Sequence, residues 1–128
     1  HIYLSGYTPL PIDRFGRSRS DMNKISLGAE QSVSWSQLKN PINEIKELKN
    51  KDAILVCVEQ HNNSITYSDY VPPSYGQDII LAMGEETRGF DEKILSLADT
   101  VIEIPMRGSK ESLNVSVAFG IAAYHVFS

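Results

Sequence analysis

A chain of 128 residues, 41% hydrophobic and 22% charged, can build one domain with a real core but not two. Its 16 acidic residues against 12 basic ones leave a net charge of −4, which excludes a uniformly basic nucleic-acid surface but not a local basic patch. Cys57 is the only cysteine, so no internal disulfide can form, and no long apolar run or secretory leader is present; the chain is expected to be cytoplasmic and without a membrane partner.

The first residues, "HIYLSG", read as the end of a strand over 2–4, stopped by Ser5-Gly6 and then by Pro9 and Pro11. The start at His1, without Met, reads as an entry in mid-strand, with an N-terminal strand missing before it. Residues 11–24 read as a polar loop carrying Arg14, Arg17, Arg19 and Lys24. The stretch 36–50 places Leu38, Ile42, Ile45 and Leu48 at helical spacing, with Pro41 at the start of its main part. "AILVCVE" (53–59) is a continuous apolar, β-branched run that suits a strand buried on both faces. "SITYSDY" reads as a short helix, "DIILAM" (78–83) as a second buried strand, 91–98 as a short amphipathic helix and "TVIEIP" (100–105) as a third strand. Residues 113–127 form a helix with apolar positions all round, which predicts burial on every side and, at the end of a small domain, contact with a second subunit. Apolar strands alternating with helices give an α/β fold, a parallel sheet with helices on both faces.

In such sheets ligands bind outside the carboxyl ends of the strands. Those ends are Val58-Glu59-Gln60, Met83-Gly84-Glu85-Glu86 and Ile104-Pro105-Met106. No GxGxxG or GxxxxGK[ST] loop is present, the three histidines lack metal-ligand spacing, and Ser112 has no GxSxG setting, so no metal and no hydrolase nucleophile are expected. Gly84, following a strand, either lets backbone amides approach a ligand or simply makes a tight turn beside two solvated glutamates. Ser112 is a good N-cap for the last helix, with Asn114 in its first turn; a helix entrance also offers unpaired N–H groups to an acceptor-rich ligand, although most capped helices bind nothing. The arginine loop reads equally as a solvated surface or an RNA contact.

In order and spacing, "ILAMGEETRGF", "ADTVIEIPM" and "SLNVSVAFGIAAY" resemble the C-terminal motifs of the SpoU (TrmH-like) branch of the SPOUT RNA methyltransferases. The weaker "SGYTP" and "LGAEQSVSW" extend the resemblance over nearly the whole chain, as one SpoU-type domain spanning 1–128. The resemblance implies a C-terminal trefoil knot, a homodimer packed through the C-terminal helix, and S-adenosylmethionine held by the knot loops. By motif position it implies cofactor contacts at Val58, Gly84, Ile104, Met106, Ser112 and Leu113, and catalytic roles for Asn114, Ser112 and Glu86. Apart from the resemblance, the polar and turn-rich loop with Arg14, Arg17, Arg19 and Lys24 is expected to contribute to RNA affinity and not to stability. The family's first motif, which carries an arginine used to activate the ribose hydroxyl, has no match here. The expected activity is S-adenosylmethionine-dependent methylation of tRNA or rRNA at a ribose 2′-hydroxyl. The alternatives are base methylation in the same pocket and a non-catalytic RNA- or cofactor-binding dimer.

Overall fold

In the computed structural model, which describes residues 1–74 and 76–128, two compact units divide the chain at Glu44 and Ile45. In the first, β1 (Ile2–Ser5) pairs in parallel with β2 (Trp35–Leu38), Ile2 opposite Trp35 and Ser5 opposite Leu38. Between them lie α1 (Ser20–Ser26) and α2 (Ala29–Ser32), separated by Leu27 and Gly28, both with positive φ. The loop expected over 11–24 is thus helical from Ser20. Neither helix buries a residue, so neither carries the apolar period that would announce it. Leu38 is likewise a strand residue, not the first turn of a helix. The helix itself, α3 (Pro41–Lys49), starts at the proline, whose fixed φ suits a first helical position. Asn40 caps it by accepting from the Asn43 N–H at 3.3 Å, while Glu44 reaches back to the Asn40 N–H at 2.7 Å.

The second unit is organised by β3 (Ile54–Val58), in which Leu55, Val56 and Cys57 are fully buried. A short β4 (Ile65–Thr66) and a single 3-10 turn (Tyr67–Asp69) occupy the segment expected to be helical, because Ile65 and Thr66 pair with the sheet edge. Next come β5 (Ile79–Met83), α4 (Glu92–Leu95), β6 (Thr100–Glu103) and α5 (Val115–Phe127). The four strands form one all-parallel sheet in the order β4-β6-β3-β5.

Because side chains alternate along a strand, β3 feeds two cores. Val56 and Ile102, with Ile79 and Leu81 behind them, meet Ala122 and Val126 of α5 on one face. Leu55 and Cys57 on the other face meet Ile45 of α3, with Ile94 and Leu95 of α4 packed alongside. Helices on both faces of a parallel sheet are therefore observed. Each fully buried Leu, Val or Ile contributes about 1.5–3 kcal/mol relative to exposure. Cys57 is sealed in this core, and burial, reinforced by the Glu59 carboxylate, pushes its thiol pKa up to about 12, which makes it chemically inert. Among the described residues no helix is long and apolar enough to cross a membrane, and no cluster of three His, Cys, Asp or Glu side chains could hold a metal.

Asp99 locks the start of β6 to its neighbours. It accepts from Lys49 Nζ at 2.6 Å and from the Leu55 N–H at 2.8 Å. Burial opposes its ionisation, but those two donors and the Lys49 charge outweigh it and hold the carboxyl below its ordinary value of 3.8. A depressed carboxylate pKa adds stability above the unfolded value and loses it as pH falls through the folded one. Resistance to urea unfolding should therefore fall as pH drops below 3.8. Asp99→Asn should be less stable at neutral pH and show a flatter acid limb; an unchanged acid limb would remove Asp99 from the linkage.

Candidate functional site

The strand order reverses at β3: from β3 the chain runs to β4 at one edge, returns to β5 on the opposite side of β3, then crosses by α4 to β6 between β3 and β4. Loops leaving the carboxyl ends of β5 and β6 therefore diverge, which is where open α/β sheets form ligand crevices. Register sets these ends level, since Val58 pairs with Met83 on one side and Ile102 on the other. A cleft of about 430 Å³ opens there. Val58, Gly84, Ile104, Met106, Ser112 and Leu113 all line it, and so does Glu86.

Three side chains tie the three loops together pairwise. Glu59, just past β3, accepts from the Phe90 N–H at 3.2 Å and so holds the loop after β5. Glu86, in that loop, accepts from Asn114 Nδ2 at 3.3 Å and from the Val115 N–H at 3.5 Å, at the entrance of α5. Gln60 Nε2 donates to the Glu111 carbonyl at 2.7 Å, returning from the segment before α5 to the loop after β3. The cleft walls thus form a closed circuit of hydrogen bonds.

The turn after β5 needs its glycines for reasons of space. Glu85 and Gly89 exchange backbone hydrogen bonds across it at 3.2 and 2.8 Å. A Cβ on Gly84 would stand 2.9 Å from the Gly89 carbonyl carbon and 3.0 Å from Glu59 Oε2; one on Gly89, at φ +65°, would stand 2.5 Å from the same oxygen. Gly84 also lines the cleft, so the space it leaves serves the turn whether or not a ligand meets its backbone. Its missing Cβ lets the turn close over the Glu59 carboxylate.

The entrance of α5 also differs from expectation. Asn114, not Ser112, is the N-cap, accepting from the Ser116 N–H at 2.9 Å and from Ser116 Oγ at 2.5 Å. Asn114 reaches the site through Glu86 and does not line the cleft, whereas Ser112 does. Glu86 lies against the positive end of the α5 dipole, a favourable place for a carboxylate. Among the lining residues four carboxylates, Glu59, Glu85, Glu86 and Glu92, face one guanidinium, Arg88. The cleft is acidic and favours a cationic ligand over a polyanion.

Sequence reasoning missed the roles of Glu59 and Gln60. Their position directly after an apolar run marked the region, but their partners lie 31 and 51 residues away. The cationic residues lie in the first unit and do not form a bare cluster. Arg17 Nε pairs with Asp13 at 2.9 Å and Arg19 with Asp21 at 2.6 Å, while Arg14 and Lys24 make no ion pair among the described residues.

The chain is 34% identical over 102 residues to a tRNA (guanosine(18)-2′-O)-methyltransferase of Aquifex aeolicus, across 78% of this chain and 46% of that protein. It is 30% identical over 115 residues to the 23S rRNA (guanosine-2′-O-)-methyltransferase RlmB of Ralstonia nicotianae, across 89% of this chain and 44% of that one. It thus spans about half the length of the curated relatives it matches. The crystal structure of the A. aeolicus TrmH/SpoU tRNA modifying enzyme superposes with a TM-score of 0.76 at 29% identity, over 98% of this chain and 59% of that one. An AdoMet-bound rRNA methyltransferase from Sinorhizobium meliloti shares the fold, with a TM-score of 0.82 at 20% identity, over 97% of this chain and 44% of that one. The ordered loops around the cleft and these likenesses agree with the match of residues 11–124 to the SpoU rRNA Methylase family, to which this chain belongs.

Proposed function

We propose that this chain is a SpoU-type domain of an S-adenosylmethionine-dependent RNA methyltransferase acting on a ribose 2′-hydroxyl of tRNA or rRNA. The observation that carries this reading is the closed circuit of Glu59, Glu86 and Gln60 around one cleft lined by all six motif positions assigned to the cofactor. The cleft suits such a donor: its volume falls within the roughly 300–1,000 Å³ of small-molecule sites. Val58, Ile104, Met106 and Leu113 supply apolar walls for an adenine, and the excess of carboxylates suits a cation. When bound, the cofactor supplies an electrophilic methyl group on a positively charged sulfur.

The chain's own groups then have distinct tasks. A ribose hydroxyl is a weak nucleophile until an acceptor takes or shares its proton. Glu86 is the acceptor on the cleft wall at the α5 entrance, and Ser112 offers a hydroxyl beside it. Asn114, bonded to Glu86, acts as a positioning residue for that carboxylate. Arg14, Arg17, Arg19 and Lys24 supply phosphate contacts from the first unit.

Two further features belong to the same reading. The segment 105–127 threads a loop formed by earlier residues as a trefoil knot, and α5 packs against a second copy of the chain. In support of the dimer, Val117, Gly120, Tyr124 and Phe127 form an exposed stripe along α5, and the space beside Gly120 is empty. A mid-helix glycine costs about 1 kcal/mol relative to alanine, and close approach of a partner helix gives it a reason.

Calorimetry should show S-adenosylmethionine or its demethylated product binding the chain. Gly84→Val should abolish binding by forcing the turn off Glu59, and Asn114→Ala should spare affinity but slow labelled methyl transfer to total RNA at least tenfold, with nucleoside analysis separating ribose from base products. A folded chain that binds no cofactor at millimolar concentration would overturn the enzyme and leave a non-catalytic RNA-binding dimer. Removing the two unpaired charges, by Arg14→Gln with Lys24→Gln, should weaken RNA binding and lower its salt slope by roughly one to two; an unchanged slope means the loop is only solvated. Tyr124→Asp, on the exposed stripe of α5, should convert a dimer burying more than ~1,000 Å² into monomers by light scattering. A Tyr124→Asp dimer would reject the α5 interface, and a crystal structure with an unthreaded backbone trace would reject the knot.

A further inference from the structure

The turn at residues 12–18 holds an aromatic ring that no core uses. Ile12 and Ser18 bridge as antiparallel partners, and the Asp13 N–H donates to the Arg17 carbonyl at 2.8 Å. Gly16, at φ +77°, carries the chain round and donates to the Asp13 carbonyl at 3.0 Å. The Asp13 carboxylate fixes the interior of the turn, accepting from the N–H groups of Phe15 and Arg17 at 2.8 and 2.9 Å and from Arg17 Nε at 2.9 Å. Phe15 is left at the tip, 67% exposed.

An isolated exposed Phe needs no explanation. This one has two guanidinium groups against its ring, Arg14 at 4.7 Å and Arg17 at 5.1 Å from the centroid. The two are not equivalent. Arg17 is committed to Asp13, so its place beside the ring is set by the turn. Arg14 makes no ion pair among the described residues and is free to exchange the ring for an anion. A rigid ring, one fixed cation and one cation free to move together fit a nucleotide: a planar base for the ring and a phosphate for the mobile guanidinium.

We propose that Phe15 is a stacking platform for an unpaired nucleobase of the RNA, with Arg14 turning to the adjoining phosphate and Arg17 held against the ring by Asp13. This rests on the RNA-methyltransferase reading and adds to it a residue that recognises bases by their faces. The base must be unpaired, because a base inside a duplex has both faces covered by its neighbours. Stacking tolerates any sequence, since every base has a π-face, so the platform grips exposed loops or ends and does not read sequence.

The test uses a short, unstructured oligoribonucleotide containing one 2-aminopurine, whose fluorescence is quenched on stacking, titrated into the chain and into Phe15→Leu and Phe15→Trp. Phe15 is solvent-exposed at a turn tip, so both variants should fold, as circular dichroism will verify. The expected result is quenching with the native chain and with Phe15→Trp. Phe15→Leu should bind roughly 5-fold or more weakly, with little quenching and an unchanged salt slope. Native-like affinity and quenching in Phe15→Leu would overturn the platform while leaving RNA binding intact. Cofactor calorimetry on the same samples separates the two failures: a chain that binds S-adenosylmethionine but no RNA loses the platform and keeps its cofactor site. One that binds neither loses the enzymatic reading as well.

Discussion

The burial of β3 on both faces is the constraint from which the second unit follows. Leu55 and Cys57 can point only into one core and Val56 only into the other, so the strand cannot slip by a residue without exchanging its two faces. That register brings Val58, Met83 and Ile102 to one level, and the next residues of each chain segment begin the cleft. The position of the site is therefore a consequence of core packing. A core substitution that shifted β5 or β6 would move a cleft wall even though it touched no lining residue.

Strand register sets the height of the loops, but it does not set their spacing. That second task falls to Glu59, Gln60 and Glu86, each of which ends a loop by bonding to another. Backbone groups in loops lack ladder partners and must find others or water. Here the Phe90 and Val115 N–H groups and the Glu111 carbonyl find side chains from neighbouring loops. The tight fit of Gly84 and Gly89 around Glu59 belongs to this arrangement. Order at the cleft comes from polar links between loops that share no secondary structure, and such links hold the lining side chains in place better than free loops would.

The strand "ILVCV" could be read in the sequence because a doubly buried strand has to be a continuous hydrophobic run; "IILAM" could be read as a strand too, but it lies at the sheet edge and its residues are half-buried, not buried as expected. The helices α1 and α2 could not, since they bury nothing and so carry no period. Leu38 misled for a related reason: it falls at helical spacing from Ile42 and Ile45, but pairing with Ser5 decides its conformation. At the site, motif order placed the lining residues, whereas local chemistry assigned Ser112 a cap that Asn114 makes. Both have suitable side chains, and only the tertiary position of the helix start separates them. Glu59 was invisible because nothing local marks a carboxylate whose partners arrive 31 residues later.

Charge in this chain is sorted by place. The cleft lining holds four carboxylates against one guanidinium, an acidic lining that disfavours phosphate. The segment from Asp13 to Lys24 contains four cationic residues, but Asp13 and Asp21 neutralise two of them locally. Two cations without an ion pair among the described residues release few counterions and by themselves give weak affinity for a polyanion, with a shallow salt dependence. On the proposed RNA-binding reading, short-range contact with the faces of bases, which salt screens far less, would then supply more of the affinity than this segment's field does. The same ion pairs that weaken the field fix the Asp13 turn and align Arg17 with Phe15. Local neutralisation therefore exchanges electrostatic reach for a fixed contact surface, the arrangement that the proposed stacking role of Phe15 requires.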